Sequence, residues 1–333
     1  MTFVVSRGYN TRMSRLRVGV VRGGPSSEYV VSLKTGENVL RNLNTEKYIP
    51  VDILITPRGD WYMNGTRTDV SNVVHHVDVI WNAMHGTFGE DGKAQHMFES
   101  FKVPYTGSGV LASAMGMHKG LAKTEFNKAG IATPKGDIIE ATDNFEEVAF
   151  QLFQDRRLPI IVKPVSGGSS VATKVVRNFD DLKHALYEAS KYGDILVEEF
   201  IEGKEATVCV IDSGSKGEHF VLFPIEIVPP KTNDFFDYDA KYSGESEEIC
   251  PGRFTLTKHA ELRDLAIKAH QAIGARHYSR TDFILTEDGT YALEINTLPG
   301  LTRESLLPKA LDKGGIAFPQ FLDHVIDLAM AGK

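Results

Sequence analysis

At 333 residues the chain is longer than one ordinary hydrophobic core organises, so two or three domains are expected. Its 42% hydrophobic and 24% charged content is that of a soluble globular protein. A net charge of −7 without a marked lysine–arginine cluster argues against a nucleic-acid partner, and no apolar run reaches the ~20 residues of a membrane helix. The two cysteines, Cys209 and Cys250, are far apart in sequence and in no metal-type spacing. They read as reduced and incidental, which fits a cytoplasmic protein.

Residues 1–16 carry no sustained apolar segment and no small-residue cleavage site. They read as a short extension, with Met13 an alternative start, and not as a signal peptide. "LRVGVVRGG" (16–24) predicts a buried strand running into a glycine turn, and "SLKTGENVLRNL" a helix. Strands at 51–55 and within 77–86 follow, so a parallel α/β domain is expected near residues 17–110. Ligands of such sheets sit beyond the carboxyl ends of the strands, where "RGGPSSE" and "MHGTFGEDG" fall.

The middle of the chain changes character. "LPIIVKPVSGGSSVATKVV" predicts two strands joined by a loop of small residues. In "FDDLKHALYEAS", Leu182, Ala185, Leu186 and Ala189 recur at helical spacing behind a first turn rich in acids. "DILVEEFIEGKEATVCVI" reads as strand, turn, strand. An amphipathic helix is expected from about Lys258 to Ile273, ended by Gly274, and a last one begins at Pro319. Antiparallel strands with interspersed helices make this half α+β.

"RTDFILTEDGTYALEIN" (280–296) reads as a hairpin around Asp288-Gly289. With Glu287–Gly289 as a three-residue loop, Thr286 pairs with Thr290, Asp282 with Glu294, and Arg280 with Asn296. One face then carries Phe283, Leu285, Tyr291, Leu293 and Ile295 toward a core. The other carries Arg280, Asp282, Glu294 and Asn296, with Ile284 and Ala292 near the turn. Two carboxylates directly across a strand pair repel by up to roughly 1 kcal/mol. A divalent cation would remove that penalty, since carboxylate and amide oxygens suit Mg²⁺. A solvated outer face is the bland alternative.

Three further features point toward a polyanion. The "SGGSS" loop (166–170) could close backbone N–H groups around phosphate oxygens, although small-residue loops are usually plain turns. Lys163 is a cation within the apolar strand "IIVKP", where an unpaired charge is costly. A bound polyanion or a buried carboxylate would offset that cost. Glu198 and Glu199 end an apolar strand, so one can face inward and the other solvent.

The glycine-rich loop, the strand lysine, "VEEF" and "RTDF…LEIN" follow in the order of an ATP-grasp ligase. "GGPSSEYVVS", "HGTFGEDG", "PYTGSGVLASAMGMHK", "FFDYDAKY" and "EINTLPGLT" resemble further segments of the D-alanine–D-alanine ligase family, also in order. The resemblance spans residue 17 to about 328. It implies an ATP-grasp fold behind an N-terminal parallel α/β domain: an extension at 1–16, a substrate domain at 17–118, and ATP-grasp subdomains at 119–205 and 206–330. It implies that ATP phosphorylates the carboxylate of one D-alanine and that the amine of a second attacks the acylphosphate. The resemblance further implies that the product serves peptidoglycan synthesis.

By matching motifs, Lys119, Lys163 and Lys241 and the Ser169–Ser170 loop would serve ATP, with Glu198, Glu199, Phe200, Ile201 and Glu205 on the adenosine side. Asp282, Glu294 and Asn296 resemble the ligands of two Mg²⁺ ions, with Mn²⁺ as a possible substitute. Arg280 would stabilise charge on the transferring phosphoryl group. Glu28 and His85 match residues at the first D-alanine; Gly300, Ser305 and Leu306 match the second-substrate subsite. Ser169 and Tyr242 match partners of Glu28 in closing a mobile loop. Lys241-Tyr242 favours D-alanine over D-lactate as second substrate, with D-serine as an alternative acceptor. A homodimer follows only by analogy. Tyr29 and Val30, His118 and Ala172 depart from the family's usual basic residue and glutamate, aspartate and glycine.

Overall fold

The structure is a computed structural model describing residues 15–141, 144–168, 171–229 and 246–332. In chain order the first part contains β1 (Leu16–Gly23), α1 (Tyr29–Asn42), β2 (Tyr48–Ile55), β3 (Trp61–Met63), β4 (Thr66–Thr68), α2 (Val70–His76), β5 (Val79–Asn82), α3 (Lys93–Ser100), α4 (Val110–Met117) and α5 (Lys119–Lys128). Its sheet has the order β4-β3-β2-β1-β5. The parallel character expected from the sequence holds for β1 against β2 and β5. An antiparallel hairpin, β3–β4, adds an edge that the sequence reading passed over. Its turn is Asn64-Gly65, with φ of 50° and 81°, the left-handed pair that a two-residue hairpin turn requires.

The second sheet uses β6 (Gly136–Ile139), β7 (Ile160–Pro164), β8 (Lys174–Val176) and β9 (Ile195–Glu199), ordered β6-β9-β7-β8 and antiparallel throughout. Helices α6 (Phe145–Asp155) and α7 (Phe179–Ser190) supply its core. Leu182, Ala185, Leu186 and Ala189 are all buried, as their spacing predicts, and the Asn178 side chain caps α7 by accepting from Asp181 N–H.

The third sheet runs β13-β12-β10-β14-β15, with β11 also on β10. Its strands are β10 (Lys204–Asp212), β11 (His219–Val221), β12 (Ile225–Val228), β13 (Glu247–Ile249), β14 (Tyr278–Leu285) and β15 (Thr290–Asn296). Helix α8 (Leu256–Ala272) covers one face, capped by Thr255 at its start and followed by Gly274 at φ 67°. Helices α9 (Leu306–Lys313) and α10 (Phe318–Ala331) close the chain. Trp81 of β5 stacks 6.5 Å from Tyr278 and meets the edge of Phe321 at 6.2 Å. This shared core fixes the first sheet against the third and so sets the walls of the cleft between them.

At the far end of β10, Asp212 gathers polar partners. Its carboxylate accepts from His277 N–H at 2.5 Å and lies 3.1 Å from His270 Nε2 and 3.0 Å from His219 Nδ1. Burial raises its pKa, but hydrogen bonds and charge from His270, His277 and His219 win, holding it at about 2 against an ordinary 3.8. A depressed carboxylate stabilises the fold above its ordinary pKa and loses that contribution as pH falls through the folded value. Asp212→Asn should therefore cost about 2 kcal/mol at pH 7 and flatten the stability loss between pH 4 and 2. Urea melts across that range check it; an unchanged acid limb would remove Asp212 from the account.

Candidate active site

The site is built first on the β14–β15 ribbon. Asp282 pairs with Glu294 and Arg280 with Asn296, as the sequence predicts. The turn is different: Leu285, not Thr286, pairs with Thr290, leaving Thr286–Gly289 as a four-residue loop held by Thr286 Oγ1. A β-bulge at Leu293, between the Asp282–Glu294 and Phe283–Ala292 pairs, absorbs the offset. The faces change accordingly. Ala292 joins Phe283, Leu285 and Ile295 in the core, whereas Leu293 and Ile284 line the cleft and Tyr291 is half-exposed.

On the cleft side, Arg280 makes a two-pronged ion pair with Asp282, Nε to Oδ1 and Nη2 to Oδ2, both 2.8 Å. Thr207 Oγ1 donates to the same carboxylate at 2.5 Å. Burial would lower the Arg280 pKa, but Asp282 and Glu294 raise it further above its already high value. Lys119 Nζ lies 3.8 Å from Glu294 and donates to the Gly167 carbonyl at 2.6 Å. The facing acids are thus already balanced by two protein cations. Asn296 Oδ1 accepts from Leu298 N–H at 2.9 Å, which fixes the carboxamide beside them. An all-oxygen set on adjacent strands facing a cleft fits a hard divalent cation.

The second sheet contributes the lysines. Glu198 is the inward acid, 2% exposed, and its two oxygens ion-pair with Lys163 and, at 2.5 Å, with Lys123. Of the partners the sequence allowed Lys163, a buried carboxylate is the one present. Burial would raise the Glu198 pKa, but the two ammonium groups hold it below the ordinary carboxylate range. Lys123 escaped the sequence reading. It lies one helical turn beyond Lys119 on α5, so i, i+4 spacing would have brought it to notice. His118 caps that helix, its Nδ1 accepting from Leu121 N–H at 3.1 Å. An aspartate can do the same, which gives this departure from the family pattern a physical account.

Loops beyond β1 and β5 supply the remaining wall, as the parallel sheet leads one to expect. Glu28 stands at the N-terminus of α1 without capping it. A Cβ at Gly168 would lie 2.9 Å from Glu28 Oε1, so the loop comes into direct contact with the end of that side chain. His85 is buried between Glu90, 2.9 Å from its Nδ1, and Thr35, 2.9 Å from its Nε2. Burial lowers the His85 pKa, but Glu90 and Glu28 carry it above the ordinary histidine value. Glu90 is a second residue the sequence reading did not assign. Ser305 occupies the N-cap position of α9 but makes no cap hydrogen bond; its Oγ accepts from Thr302 N–H at 3.1 Å. Lys309, bound to Glu248 at 2.7 Å, was also unassigned and lines the same wall.

One cleft of about 820 Å³ is lined by Glu28, His85, Lys119, Lys163, Glu198, Glu199, Phe200, Ile201, Glu205, Arg280, Asp282, Glu294, Asn296, Gly300, Ser305 and Leu306. These are all the described residues given a site role from the sequence. Ser169, Ser170, Lys241 and Tyr242 lie outside the described residues. Ala172, where the family has glycine, adopts φ 52°. A left-handed alanine costs ~1–2 kcal/mol, part of which glycine's freer unfolded chain offsets. Ala172→Gly should gain about 0.5–1 kcal/mol in a thermal melt; a loss would contradict the strain.

Three sheets around one lysine- and acid-lined cleft define an enzyme of the ATP-grasp class. Models of the "D-ala D-ala ligase" N- and C-termini match residues 17–108 and 126–327. A D-alanine–D-alanine ligase of Desulfotalea psychrophila is 39% identical, covering 96% of each chain. The VanG D-Ala:D-Ser ligase of Enterococcus faecalis superposes with a TM-score of 0.83 at 29% identity, over 95% of this chain and 100% of that one. An ATP complex of the Bacillus anthracis D-alanine–D-alanine ligase gives 0.78 at 30% identity, over 95% and 98%. The chain belongs to the D-alanine–D-alanine ligase family.

Proposed function

We propose that this chain joins two D-alanines to D-alanyl-D-alanine at the expense of ATP, for peptidoglycan precursor synthesis. The observation that carries the reading is the convergence on one cleft of the residues the family motifs single out. A carboxylate is a poor electrophile, and phosphorylation gives it a good leaving group. The second amine then attacks the carbonyl and phosphate departs. For such a transfer the protein contributes mainly position and charge.

In this reading Glu28, beside buried His85 and Glu90, holds the ammonium of the first D-alanine. Lys119 and Lys163 hold ATP phosphates; Glu198, Glu199, Glu205, Phe200 and Ile201 flank the adenosine. Asp282, Glu294 and Asn296 would hold Mg²⁺, or Mn²⁺, whose charge offsets that of the phosphates. Arg280 turns its planar fork from Asp282 to the transferring phosphoryl group. Gly300, Ser305 and Leu306 receive the second D-alanine. Residues 17–118, 119–205 and 206–330 form the three units. A homodimer and a cytoplasmic site complete the proposal; no helix among the described residues is long and apolar enough to cross a membrane.

Pure protein with ATP, Mg²⁺ and D-alanine should release phosphate and D-alanyl-D-alanine, with D-serine run in parallel. Phosphate with D-serine but none with D-alanine would sink the reading. Chelation with EDTA should abolish turnover and added Mg²⁺ restore it; turnover that persists in EDTA would argue against the three oxygen ligands.

A further inference from the structure

The cluster at Asp212 lies apart from the cleft. Asp212 is five residues along β10 from Thr207, which touches the cleft acid Asp282, a span of about 17 Å at strand rise. His219 faces Asp212 across the β10–β11 pair, and His270 reaches it from the last turn of α8. None of the three lines the cleft.

Their ligand atoms, Asp212 Oδ1, His219 Nδ1 and His270 Nε2, all lie within 4.8 Å of one another. The carboxylate oxygen is 3.0 Å from one imidazole nitrogen and 3.1 Å from the other. Ligands of a tetrahedral zinc, with bonds of ~2.0–2.1 Å, stand about 3.3 Å apart, close to both carboxylate–imidazole separations seen here. The groups behind the ligands are also in place. His270 Nδ1 lies 2.7 Å from Ser279 Oγ, and His219 Nε2 lies 3.0 Å from the Gln271 carboxamide. A carboxamide turned over would offer its oxygen to the Nε2–H. Such partners orient metal-bound imidazoles. Asp212 Oδ2 is held by His277 N–H, leaving Oδ1 aimed at the two rings. His324 is spent on the Asp212 carbonyl, 2.6 Å from its Nε2. The Asp212 side chain is 22% exposed, so an ion can enter and keep a water as fourth ligand.

We propose that Asp212, His219 and His270 form a binding site for a divalent transition-metal cation of the zinc class. Two imidazoles and one carboxylate favour such an ion over Mg²⁺, which prefers oxygen. The ion clasps the β10–β11 hairpin to α8 and supports the fold, away from the ligation chemistry.

Tag-free protein, stripped with chelator and returned to excess Mg²⁺ to fill the oxygen-lined cleft, is titrated with Zn²⁺ by calorimetry. One equivalent per chain is expected, with visible absorption of four-coordinate cobalt when Co²⁺ replaces it. His219→Ala and His219→Gln, the latter keeping a hydrogen-bonding side chain, should each weaken Zn²⁺ at least about tenfold while ligation activity shows both folded. Absence of the Zn²⁺ equivalent in the wild type, or wild-type affinity in either variant, overturns the site.

Discussion

Arg280→Ala should bind ATP almost as well as the wild type yet ligate D-alanine on the order of 10³-fold more slowly, the scale set by losing one preorganised charge stabiliser. Arg280 is paired with Asp282 and flanked by Glu294, with 14% of its side chain exposed, so its charge already lies at the cleft when substrate arrives. In the structure its fork spans both Asp282 oxygens; the same geometry suits two oxygens of a phosphoryl group. Nucleotide binding and turnover are measured separately. Arg280→Lys, which keeps the charge and loses the fork, should fall between the two. Near-normal ligation by Arg280→Ala would remove Arg280 from the chemistry.

Glu198→Gln should produce the largest loss of stability, about 3–5 kcal/mol, because it leaves two buried ammonium groups without their carboxylate. Lys123 and Lys163 are 7% and 8% exposed, so water replaces only part of what Glu198 supplies. Adding Lys123→Met to the variant should recover part of the loss by removing one stranded charge. Denaturant unfolding decides. A loss under about 1 kcal/mol would mean that the lysines find other partners, and the trio would no longer anchor the second sheet to α5.

Much of this arrangement was legible in the sequence because strand alternation and helix periodicity are local. Leu182, Ala185, Leu186 and Ala189 fall where spacing put them, and the acids of the ribbon face each other as predicted. The agreement at Asp282 and Glu294 depends on two offsets that cancel: the loop is one residue longer than expected, and the bulge takes that residue back. A bulge depends on packing on both faces, which a single strand pattern does not reveal. The Asn64-Gly65 turn was readable but passed over. The Lys163–Glu198–Lys123 trio spans three elements, and no window of sequence displays it. The acid pair posed a charge problem that a cation could answer, and Arg280 with Lys119 supplies part of that answer from the protein.

The bulge at Leu293 has a mechanical consequence. It makes the ribbon two segments joined by a slip joint, with the tip on one register and the cleft-lining base on another. Tips can lengthen, shorten or drift in sequence while the base keeps its alignment, since a change of loop length ends at the joint. The part of the molecule open to variation and the part that must stay fixed therefore share two strands without sharing a constraint.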